Sequence, residues 1–165
     1  MNMTSELLGT YIMRLIVEKN FSTVKQILYT LPPNDPIKIH YVESDTNAYI
    51  RPLTIAACAN LAENAAALIS RGADVNVSDN GFTPVLRAGL NENWDTFYVL
   101  IECGANLATC PPDMLTDAYY YAIKNERMDA LRILLDHDIK YNPDIICPAA
   151  KWSTNILIRK LFDHT

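Results

Sequence analysis

The sequence predicts an all-α fold, a solenoid of about five helix-turn-helix repeats. A block of residues recurs after 32 positions, with Pro52 falling on Pro84 and Gly72-Ala73-Asp74 on Gly104-Ala105-Asn106. Apolar positions of second-helix type recur at Leu28, Ile69, Ile101, Leu135 and Phe162, at intervals of 41, 32, 34 and 27 residues. The 165 residues also equal five lengths of 33, a known repeat length, although the intervals are uneven.

In chain order, Thr10 to Ile16 and then Thr23 to Leu28 carry apolar faces at helical spacing and form a first helix pair. This pair has no glycine stop and ends instead at Leu31-Pro32-Pro33, because proline cannot continue a helix. The polar stretch that follows lengthens the first interval and is expected to be an extended insertion loop over 32–46. The second copy runs from Arg51-Pro52-Leu53-Thr54 to Gly72, and the third from Thr83-Pro84 to Gly104. Threonine caps a helix N-terminus and proline suits its first position. Ala56, Ala57, Ala88 and Gly89 let a neighbouring helix approach closely, and Gly72 and Gly104 stand where a left-handed helix stop is needed.

Asp79-Asn80-Gly81 is turn chemistry, and any β structure is expected only near Asp74 to Gly81. In the fourth copy Asp117 replaces the capping threonine, Ala118 the proline and Asp138 the glycine. Tyr119, Tyr120 and Tyr121 cannot all lie on one face of a helix, so at least one belongs to the core. A shortened fifth copy follows, from Pro148-Ala149-Ala150 to Phe162. Terminal copies have one neighbour and face water, which favours such departures.

Gly81-Phe82-Thr83-Pro84 and the two Gly-Ala-Asp/Asn segments resemble the ankyrin repeat, most closely over residues 47–108. The resemblance implies an ankyrin-repeat solenoid. It would be a single domain over 1–165, with repeats near 6–31, 47–77, 79–109, 113–140 and 142–165. It also implies a non-catalytic protein-binding module, in which loop tips and first helices line a concave face. By type of position, that face holds Asp79, Asn80 and Phe82 at the central tip, with Arg87, Leu90, Asn91 and Trp94 after it. Tyr49 and Ile50 come from the preceding copy, Tyr121 and Lys124 from the following one, and Trp152 from the last. Tyr, Trp and Arg are the types enriched at binding hot spots.

The charge agrees with a protein partner. Fourteen Lys+Arg against nineteen Asp+Glu give a net charge of −5, which lacks the basic footprint needed for nucleic acid. No basic run points to an anionic membrane surface, and no stretch approaches the ~20 apolar residues that span a bilayer. Leu7 to Val17 is interrupted by Thr10 and Arg14 and preceded by Glu6, unlike a secretion signal. The chain is therefore expected in a cytoplasm, that of a host if it is a secreted effector.

No metal, cofactor or catalytic centre is expected. Cys58, Cys103, Cys110 and Cys147 form no CxxC pair and are read as reduced thiols. His40, His137 and His164 define no triad, and His137 is read as a helix-end residue bonding local carbonyls. The five glycines make no phosphate loop. Three uses fit this reading. The first is a bacterial or viral interaction or effector protein, expected as a monomer. The second is an immunity-type protein neutralising a basic toxin, and the third a structural subunit that forms oligomers.

Overall fold

The computed structural model describes residues 5–41 and 46–163. Five helix pairs follow one another in order. They are α1 (Ser5–Val17) with α2 (Phe21–Thr30), α3 (Pro52–Cys58) with α4 (Ala62–Ser70), and α5 (Pro84–Leu90) with α6 (Trp94–Glu102). The last two are α7 (Pro112–Lys124) with α8 (Met128–Asp136) and α9 (Pro143–Lys151) with α10 (Ile156–Leu161). The first helices α3, α5, α7 and α9 pack in succession, as do the second helices α2, α4 and α6, so these pairs stack in a row.

The turn inside each of the first four pairs has one geometry. Lys19, Asn60, Glu92 and Glu126 take positive φ values of 56°, 52°, 59° and 54°. These positions are 41, 32 and 34 residues apart, the intervals already seen in the apolar pattern. In each turn the next residue's N–H reaches back five residues, as in Leu61 to the Ala56 carbonyl (3.0 Å) and Asn93 to Ala88 (2.9 Å). That bond closes a helix end on a left-handed residue. Gly72, Gly104 and Asp138 do the same after second helices, at φ 93°, 92° and 51°.

Side chains link each repeat to the next. Asn34 donates to the Gly72 carbonyl (2.8 Å) and accepts from the Asp74 N–H (3.0 Å). Asn76 repeats the device, donating to Gly104 (3.4 Å) and accepting from Asn106 (2.7 Å). The apolar core is continuous through the stack, from Ile12 and Leu28 to Ile158 and Phe162. Its small residues allow close approach: a Cβ on Gly89 would lie 3.4 Å from that of Ala118 in the next first helix.

Two expectations are corrected. The stretch 32–46 is not simply a loop: β1 (Ile37–Tyr41) pairs antiparallel with β2 (Thr46–Ile50), Ile37 opposite Ile50 and Ile39 opposite Ala48. Positions 42–45 lie outside the described residues, as does His164. The reason is period-2 burial of β-branched residues, with Ile37, Ile39 and Ile50 in the core. Lys38 passes so close to α1 that only glycine fits opposite it, since a Cβ on Gly9 would meet the Lys38 carbonyl oxygen at 2.0 Å. Near Asp74 to Gly81 there is only an isolated bridge, Asp79 to Phe82. Secondly, α7 starts at Pro112 rather than beside Asp117. Pro112 takes the first helical position, and no breaker follows until Lys124.

Candidate functional site

The most constrained exposed feature is the tip before α5. Asn80 and Gly81 both have positive φ (53° and 81°), the geometry of a tight hairpin turn that Asn-Gly favours. The turn is closed by Asp79 N–H to the Phe82 carbonyl (2.9 Å) and Phe82 N–H to Asp79 (3.1 Å). Asn80 donates from its amide to the Tyr49 carbonyl (3.0 Å), tying the tip to β2. Thr83 then caps α5 through the Leu86 N–H (3.4 Å), with Pro84 at the first helical position.

This frame presents Phe82 half-buried, with the Arg87 guanidinium 3.6 Å from the centre of its ring. Tyr49 is 52% exposed, Asn91 is exposed and Leu90 is half-buried. The half-buried Cys58 thiol interacts with both Arg87 and Asn91. Burial raises its pKa, and the Arg87 charge opposes that rise. Further along, Lys124 lies 5.6 Å from the Tyr121 ring and pairs with Glu92 at 3.4 Å, while Asn125 donates to Glu92 at 3.0 Å. Trp152 is 88% exposed at the end of α9 and shares a cleft with Lys124.

Three of the twelve sequence-predicted residues do not belong to an exposed surface. Asp79 is buried inside the stack. Its carboxylate accepts from the Arg51 N–H (2.8 Å), the Thr54 hydroxyl (2.6 Å) and the Arg51 guanidinium. Trp94 is buried edge-on to Phe97 at 5.7 Å, because it opens α6 on the side facing the core. Ile50 belongs to the hairpin's apolar face. The structure brings Tyr49, Asn80, Phe82, Arg87, Leu90 and Asn91 to the tip and first helix of one repeat boundary. Tyr121, Lys124 and Trp152 form a second group beyond them.

Tyr119 is the core tyrosine, its hydroxyl donating to the Ile139 carbonyl at 2.9 Å, whereas Tyr120 is 42% exposed. Glu92 and Glu126, on the turns after the first helices, lie outside the twelve predicted residues. Their signal was the recurrence of the inter-helix turn 32–34 residues apart. Cys110 bonds the Thr83 hydroxyl at 3.2 Å, and burial raises its pKa. His137 Nδ1 lies 2.9 Å from the Ile133 carbonyl, as read from its helix-end position. Among the described residues the four cysteines form no disulfide, no group of three His, Cys, Asp or Glu could hold a metal ion, and no helix is long and apolar enough to cross a membrane.

A family model described as ankyrin repeats matches residues 53–145 in three copies. No curated protein matches the chain.

Proposed function

Since this chain belongs to the ankyrin-repeat family, generally a family of protein–protein interaction modules, we propose that it is a non-catalytic adaptor that binds one partner protein through its concave face. The loop tips, half-buried Arg87 and Leu90 of α5, and the exposed sides of α7 and α9 form that face. The observation that carries the reading is the Phe82–Arg87 pair. An aromatic ring held on a rigid two-residue turn, stacked under a guanidinium and beside exposed Tyr49, has the composition of a hot spot. Phe82 packs partly against the core, and a partner that covers the rest of its ring gains buried aromatic area. The net charge of −5 favours a partner with basic character. The setting we propose is that of a bacterial or viral interaction protein, monomeric in a cytoplasm. The test is an affinity pull-down from the native source, read by mass spectrometry, with Phe82→Ala/Arg87→Glu as control. Loss of a wild-type binder from the control supports the placement. Equal recovery on a folded double variant refutes it.

A further inference from the structure

The successive grooves between first helices are not alike. Between α5 and α7 the space is bridged, because Glu92 binds both Lys124 and Asn125. Between α7 and α9 it is open, as a cleft of about 540 Å³. Tyr120 and Ile123 line it from α7, and Ile145, Pro148 and Trp152 line it from α9 or its end. Trp152 at 88%, Ile145 at 46% and Tyr120 at 42% are exposed large apolar side chains, and all three border this one cleft.

Its charged groups are one carboxylate and one lysine that is already paired. The carboxylate of Glu126, on the turn after α7, also lines the cleft and accepts from the Thr154 hydroxyl. Among the described residues no cation pairs with Glu126. Lys124, the one basic residue lining the cleft, is paired with Glu92 at 3.4 Å. Aromatic walls beside a carboxylate without a counter-ion favour a cation. A guanidinium suits them better than an ammonium, being flat enough to stack, weakly hydrated, and able to present two N–H groups to one carboxylate. The apolar remainder of the cleft is matched by an apolar neighbour of that cation.

We infer that the α7–α9 cleft docks an arginine of the partner protein, its guanidinium against Trp152 and paired with Glu126, with an adjacent apolar side chain over Ile145 and Pro148. This rests on the concave-face reading and adds a second anchor to it, at the C-terminal end of the face. The sequence feature to look for in a partner is Arg next to Leu, Ile or an aromatic residue on an exposed segment.

The whole chain is titrated with the blocked peptide acetyl-Gly-Arg-Leu-Gly-amide and with its citrulline counterpart, which keeps shape and loses charge. The readout is the Trp152 indole N–H resonance, assigned with Trp152→Phe, and the buried Trp94 indole is the internal reference. The expected result is a saturable shift at Trp152 alone. Affinity falls about fivefold or more for citrulline and for Glu126→Gln, which keeps size and removes charge. Absence of a saturable shift, or equal binding by the citrulline peptide, overturns the inference. A separate outcome isolates it from its premise. If a captured partner loses affinity for Phe82→Ala/Arg87→Glu yet binds Trp152→Ala and Glu126→Gln as it binds wild type, the arginine site is wrong and the concave-face reading stands.

Discussion

Replacing Asp79 by Ala separates a residue that holds the stack together from one that touches a partner. The Asp79 side chain is 3% exposed and accepts three hydrogen bonds from the repeat before it. Removal leaves the Thr54 hydroxyl, itself fully buried, without its acceptor, and the Arg51 guanidinium without its counter-ion. An orphaned buried donor costs about 1–3 kcal/mol, and breaking a buried ion pair about 3–5 kcal/mol. Arg51 keeps 31% of its side chain in water and donates also to the Asn34 carbonyl, so the lower end applies. The expected loss is about 3 kcal/mol, or roughly 6–12 °C in midpoint for a domain of this size. Urea unfolding followed by far-ultraviolet circular dichroism measures it. Asp79→Asn, which keeps acceptor capacity and loses charge, should cost visibly less. A change within about 0.5 kcal/mol for Asp79→Ala would return Asp79 to the list of surface residues and refute the burial argument.

Three further outcomes follow from the same geometry. Gly9→Ala forces a methyl against the Lys38 carbonyl and should cost about 1–3 kcal/mol, seen first as faster amide exchange over residues 37–41; unchanged exchange there contradicts the close packing. Burial pushes the Tyr98 phenol up to about 12 from its usual 10, with a hydrogen bond to Asp129 adding to the rise, and burial raises Tyr119 as well. Both are then harder to ionise folded than unfolded, so the stability they contribute is complete below pH 10 and is lost as pH rises through about 12. Unfolding midpoints should fall over that range, and Tyr98→Phe/Tyr119→Phe should flatten the fall. Thiol labelling of the native chain should reach exposed Cys103 first and buried Cys110 only on unfolding, and rapid labelling of Cys110 would contradict its place against Thr83.

Much of the repeat architecture was legible because its signals are local. Thr83-Pro84, Gly72 and Gly104 mark helix ends by backbone chemistry that needs no tertiary context. The interval pattern was readable too, since each turn has to return the chain to the same place in the stack. The hairpin was not. Its alternation of isoleucines is short, and Pro32-Pro33-Asn34-Asp35-Pro36 before it signals a loop; what makes it a strand is α1, which meets it across Gly9 from far away in sequence. The surface divided for a related reason. A position in a repeat states which element a residue lies on, but burial depends on the neighbouring repeat. Asp79 occupies a tip position like Asn80, and only its bonds to Arg51 and Thr54 of the preceding repeat separate the two. The α7–α9 cleft has no motif either, because the polar link there, Glu126 to the Thr154 hydroxyl, leaves Trp152 and Ile145 uncovered.

The central claim is that the exposed tip and first-helix surface around Phe82 binds a protein. The direct measurement is calorimetric titration of the recovered partner into wild type and into Phe82→Ala/Arg87→Glu, with circular dichroism confirming equal helicity. Loss of at least tenfold in affinity, about 1.4 kcal/mol, is predicted. Affinity equal to wild type in the folded double variant contradicts it.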